Sequence, residues 1–114
     1  MKRISTHVLD VAQGKPAQDV AVRLERRESA GNWVVLSASR TDRDGRCVQL
    51  LPEDDGLRAG IYRLSFDAAS YHHAQKTEGL YPVVEITFQV HEGESRFHIP
   101  LLLSPYGYTT YRGS

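Results

Sequence analysis

The sequence predicts an all-β sandwich, and three observations carry that expectation. Apolar residues recur with a period of two rather than 3.6, the mark of half-buried strands. Turn-forming clusters punctuate the chain at the spacing of sandwich strands. A helix signature appears in one place only, where Asp67 precedes Ala68-Ala69-Ser70.

Taken in order, the elements are about eight strands and one short helix. The first strand holds Ser5-Thr6-His7-Val8-Leu9-Asp10, whose two faces do not separate cleanly by polarity. The turn Gln13-Gly14-Lys15-Pro16 leads to Val20, Val22 and Leu24, which alternate with Ala21, Arg23 and Glu25. After Ala30-Gly31-Asn32 comes a β-rich run from Trp33 to Ser39. Asp42-Arg43-Asp44-Gly45 is a tight turn that places Arg46 at the first position of a new strand. Beyond Ala59-Gly60, Tyr62, Leu64 and Phe66 form another alternating set. Asp67 is suited to cap a helix of two or three turns reaching about Lys76. Val84, Ile86, Phe88 and Val90 alternate with Glu85, Thr87 and Gln89, and after His91-Glu92-Gly93-Glu94 the strand Phe97–Leu103 closes the set.

The 114 residues suit a single domain, 1–114, with one core. Basic and acidic residues balance at 14 each, without any block of like charge, so the basic stripe of a nucleic-acid or membrane-surface protein is missing. Cys47 is the single cysteine, which excludes an internal disulfide and a cysteine-based metal cluster. It reads as a small, half-buried strand residue. No apolar run approaches the ~20 residues that span a bilayer. The charged start, Met1 to His7, has no apolar stretch behind it, unlike a secretory signal. A soluble, cytoplasmic protein is the expectation.

Candidate functional residues stand out against this background. Phe97, Ile99, Leu101 and Leu103 share one strand face as the natural core set, so His98, Pro100 and Leu102 point the other way. Such a face suggests a second covered surface, most simply a subunit contact. Pro100 cannot donate to a ladder and places the strand near an edge or at an interruption. The segment Ser104–Ser114 carries Tyr106, Tyr108, Tyr111, Arg112 and hydroxyl groups but no aliphatic residue to bury. It is better suited to a site than to a core. Spacing alone leaves His7, Arg46, His98 and Ser114 on separate segments.

Four stretches nevertheless resemble one family in order along nearly the whole chain. Ser5-Thr6-His7-Val8-Leu9-Asp10 with Gly14-Lys15-Pro16-Ala17 resembles the opening signature of the 5-hydroxyisourate hydrolases, the transthyretin-related enzymes of urate breakdown. Thr41-Asp42-Arg43-Asp44-Gly45-Arg46 is similar to their arginine-bearing turn, and His98-Ile99-Pro100-Leu101-Leu102-Leu103-Ser104-Pro105 to their histidine strand. Tyr106-Gly107-Tyr108-Thr109-Thr110-Tyr111-Arg112-Gly113-Ser114 resembles their carboxyl end. No departure occurs within these motifs. The pair His72-His73 lies outside them and reads as solvated.

The resemblance implies a transthyretin-like (prealbumin) Greek-key sandwich. It further implies a homotetramer, a dimer of dimers, with sites where dimers meet. The implied reaction is hydrolysis of the N1–C6 amide of 5-hydroxyisourate, giving 2-oxo-4-hydroxy-4-carboxy-5-ureidoimidazoline, without metal or other cofactor. His7, Arg46, His98 and Ser114 would be catalytic, and His7, Arg46 and Tyr111 would bind substrate. Either histidine suits proton transfer near neutral pH. The leaning is towards His7 on the substrate and His98 on the water. Arg46 offers a planar fork of donors for the carbonyl oxygens. A serine nucleophile needs an adjacent base held by a third group, so direct attack by water is the simpler expectation.

Two rival readings remain. A zinc site on His7 and His98 lacks both His-x-His and His-Glu-x-x-His spacing, and Arg46 would repel the ion. A carrier of a small aromatic ligand would need a mainly apolar channel, for which two histidines and an arginine are an excess of polar groups. A purely structural partner protein would leave the polar terminal segment unexplained.

Overall fold

Alternating side chains pleat the chain into two sheets whose apolar faces meet. The computed structural model describes residues 2–114. Nine strands and one helix follow in order: β1 (Arg3–Asp10), β2 (Lys15–Pro16), β3 (Ala21–Arg27), β4 (Trp33–Arg40), β5 (Arg46–Cys47), β6 (Gly60–Phe66), α1 (Ala68–Ala74), β7 (Val84–Val90), β8 (Arg96–Ser104) and β9 (Gly107–Thr110). One sheet has the order β2-β1-β8-β9, with β5 also paired to β1, and the other runs β4-β3-β6-β7. β1 and β8 are parallel, and the remaining ladders are antiparallel.

The core lies between the sheets. Val22 and Leu24 of β3, Tyr62, Leu64 and Phe66 of β6, and Val84, Ile86 and Val90 of β7 are all buried. They face Ile4 and Val8 of β1 and the β8 set Phe97, Ile99, Leu101 and Leu103. Burying one such aliphatic side chain contributes about 1.5–3 kcal/mol. The mixed polarity of β1 is resolved by partners. Thr6 faces inward and donates to the Ile99 carbonyl at 2.6 Å. Asp10 also faces inward and accepts from the Tyr71 hydroxyl at 2.7 Å. Inward polar groups of this kind are tolerated because each is hydrogen-bonded.

The helix starts where the sequence places it. The Asp67 side chain accepts from the Ser70 amide at 3.1 Å, which caps the first turn. It ends earlier than Lys76, at a Gln75 cap, with Lys76 itself at a φ of 56°. Here one expectation is corrected: His73 is exposed, but His72 is buried, only 5% accessible. The chain after α1 folds back over it so closely that a Cβ at Gly79 would come within 2.9 Å of the His72 ring. Cys47 is likewise fully buried rather than half-buried, 5% accessible.

β8 is an interior strand, between β1 and β9, and Pro100 sits at an interruption. β9 pairs with Leu101 to Ser104, and an isolated bridge then joins His98 to Gly113, leaving Pro100 between the two. Pro100 is buried within its own chain, so part of the cover on the His98 face comes from the returning tail.

Candidate active site

Strand register brings the separated candidates together. In the parallel β1–β8 ladder Ser5 lies opposite His98 and His7 opposite Pro100, while the antiparallel β1–β5 ladder sets His7 opposite Arg46. Paired residues share a face of a sheet. Ser5, His7, Arg46 and His98 therefore stand on one face, the one turned away from the core. From the other side of β8, the Gly113 amide donates to the His98 carbonyl at 2.8 Å and delivers Ser114 beside the histidine.

A recess of about 240 Å³ results. Arg46, His98, Gly113 and Ser114 line it, together with Arg3 and Arg96. His7 flanks the recess across the ladder from Arg46 rather than forming its wall. Among the described residues no three His, Cys, Asp or Glu side chains converge in a metal-binding group.

The turn before Arg46 aims its side chain. One oxygen of Asp42 accepts from the Asp44 amide at 2.9 Å and from the Arg46 amide at 3.0 Å. Those amide hydrogen bonds, that of Arg46 foremost, hold the Asp42 carboxyl below the usual carboxylate range. Gly45 has a φ of 78°, and a Cβ there would overlap the Val8 carbonyl oxygen. Only glycine meets both demands.

His98 is half-buried, and its Nδ1 lies 2.9 Å from Ser5 Oγ. Burial pushes its pKa below that of a free imidazole, and the positive charges of Arg46 and His7 push the same way. The shift favours the uncharged ring, the form that can take a proton.

The tail is pinned by the residue that precedes Gly113. Arg112 Nη1 donates to Glu94 at 3.0 Å and Nη2 to the Arg96 carbonyl at 3.3 Å. Its guanidinium also lies 4.4 Å from the Phe97 ring centroid. Arg112 thus faces away from the recess and anchors the strand of chain that carries Ser114. Tyr111 is not brought to the recess within this chain. It is 57% accessible and lines a separate hollow with Ile86, Phe88 and Gln89.

Sequence reasoning missed Ser5, Arg3 and Arg96. The two-residue period contains the signal, because Ser5 and Arg3 lie two and four positions before His7, and Arg96 two before His98.

Fold and site together define a class. The family model for the HIUase/Transthyretin family matches residues 4–113, and the chain belongs to that family. Among its relatives is the 5-hydroxyisourate hydrolase of Mus musculus, 46% identical over 112 residues, covering 97% of this chain and 94% of that protein. The solved 5-hydroxyisourate hydrolase of Klebsiella pneumoniae superposes with a TM-score of 0.86 at 33% identity, covering 100% of both chains. Transthyretin from Sparus aurata superposes with a TM-score of 0.91 at 32% identity, over 99% of this chain and 97% of that one. The backbone fits a hydrolase and a transthyretin alike, so side chains must separate the two activities.

Proposed function

We propose that this protein is a 5-hydroxyisourate hydrolase that opens the six-membered ring at the N1–C6 amide, giving 2-oxo-4-hydroxy-4-carboxy-5-ureidoimidazoline. The observation that carries the reading is the meeting of His98, Arg46 and His7 on one sheet face. Identity of 46% to a named hydrolase over nearly the full length supports it.

The roles follow from the chemistry of the groups. Water attacks C6, and His98 takes its proton as the C–O bond forms. Negative charge gathers on the C6 oxygen, where the Arg46 guanidinium offers fixed donors. His7 contacts the substrate and supplies the proton that the N1 leaving group needs when the C6–N1 bond breaks. Ser114, held beside His98 by the Gly113 bridge, orients water or substrate with its hydroxyl. No metal or organic cofactor takes part.

The whole chain acts as one domain, within a cytoplasmic homotetramer built as a dimer of dimers. Tyr111 is assigned to the substrate through that assembly, since within one protomer it faces another hollow. The rival reading, a carrier of an aromatic ligand, has the 0.91 TM-score to Sparus aurata transthyretin in its favour. The recess argues against it, because three arginines and a histidine line it where a carrier needs apolar walls.

The test is the decay of freshly generated 5-hydroxyisourate, followed by ultraviolet absorbance and circular dichroism. Rapid decay to an optically active product is expected, with a steep loss on His98→Asn. Decay at the uncatalysed rate, with a racemic product, would favour the carrier.

A further inference from the structure

The hydrogen bond between Ser5 and His98 fixes more than a ring orientation. The two residues are 93 positions apart in sequence, yet the β1–β8 register sets them opposite one another with Oγ 2.9 Å from Nδ1. A neutral imidazole carries one N–H and one lone pair, and a hydroxyl can pair with either. The charged surroundings decide between the two arrangements. Arg46, Arg3 and Arg96, guanidinium groups that only donate, share the wall of the recess with His98. A lone pair facing these donors is attracted, whereas an N–H facing them meets like polarity. The proton therefore belongs on Nδ1, on the Ser5 side.

We propose that Ser5 is a positioning residue of the reaction: its oxygen accepts the Nδ1 proton of His98 and holds the tautomer whose Nε2 lone pair opens into the recess. The role rests on His98 being the group that takes the proton from water. Without Ser5 the ring is free to carry its proton on Nε2, where it cannot act as a base. Water in place of the hydroxyl would restore this control only in part, because a water can turn to donate.

Nitrogen-15 histidine spectra of the intact protein test this directly, with the His98 signal assigned by its loss in His98→Asn. The wild-type ring is expected as the Nδ1–H tautomer, and Ser5→Ala is expected to shift it towards Nε2–H. In the same variant kcat should fall about five- to tenfold, the worth of one hydrogen bond, with KM within about twofold. Ser5→Thr, which keeps a hydroxyl, should restore both the spectrum and kcat. A wild-type Nε2–H tautomer overturns the proposal, and that reading needs no variant to fold. So does a Ser5→Ala protein whose tautomer or kcat is unchanged, or a Ser5→Thr protein as slow as Ser5→Ala. Full activity of His98→Asn alongside a wild-type Nδ1–H tautomer instead defeats the assignment of His98 as the base, and keeps that failure distinct.

Discussion

Gly113→Ala is expected to disable the site while sparing the fold. The tail crosses His98 so closely that a Cβ at position 113 would sit 2.5 Å from His98 Cδ2, and 3.2 Å from both the His98 carbonyl oxygen and Pro100 Cγ. Neither of the last two can give way, since one is ladder backbone and the other a buried ring. Carbon atoms rest about 3.5–4.0 Å apart, so the imidazole must retreat by about 1 Å. Its retreat is blocked on the far side by Ser5 Oγ, already 2.9 Å from Nδ1. The ring has to turn off its rotamer, and a misplacement of about 1 Å can cost about 100-fold in rate. Gly113 is not among the glycines of positive φ, so steric contact rather than backbone strain is the cause. The loss of stability should stay near 1 kcal/mol, because the strain falls on one half-buried side chain outside the core. Initial rates of 5-hydroxyisourate decay and a thermal melt read the two effects separately. Gly93→Ala, at a φ of 83° with nothing within 4 Å, supplies the control, losing stability but not rate. A Gly113→Ala rate within threefold of wild type would refute the reasoning.

Four further outcomes are expected. Arg46→Gln should lower kcat by about 100- to 1,000-fold, as for other aimed donors, and Arg46→Lys should not restore it, because an ammonium lacks the planar fork. Far-UV circular dichroism should be unchanged in both, Arg46 being exposed. The acid limb of kcat/KM should fall below the usual imidazole value of about 6.5, since burial, Arg46 and His7 all lower the pKa of His98. The same shift gives the unfolded chain more bound protons below 6.5, so the His98 contribution to stability is complete above that pH and is lost as pH falls towards the folded value. Denaturant titrations between pH 5 and 7.5 measure it. Tyr71→Phe should cost about 1–3 kcal/mol by leaving the buried Asp10 carboxylate short of a partner, with kcat unaltered, as read by thermal melts and the decay assay.

The fold was legible where side chains obey one period. Val22, Leu24, Tyr62, Leu64, Phe66, Val84, Ile86 and Val90 all point inward, as their alternation requires. The Asp67 cap and the turn before Arg46 were equally visible, because both depend on local chemistry. His72 was misjudged because its burial comes from a loop, around Gly79, that carries no periodic signal. The site is the stronger case of non-local control. His7, Arg46 and His98 are distinctive only in company, and the β1–β8 and β1–β5 registers that gather them are properties of the sheet. The sequence motifs named these residues through resemblance, while the geometry adds the reason they can cooperate.

The parallel pairing of β1 with β8 also bears on how the chain acquires its shape. Apart from two-residue ladders with β2 and β5, the first strand has no partner until one that follows some 90 residues later. Contacts of such high sequence separation form late and slow the search for the native topology. During synthesis β1 emerges long before β8 and waits with an open hydrogen-bonding edge, a state prone to association with other chains. Closure of the β1–β8 ladder then completes the sheet and sets Ser5, His7 and His98 in place in one event. Folding intermediates that lack this ladder are consequently without activity, and substitutions in either strand should lower the yield of native protein before they alter the turnover of what has folded.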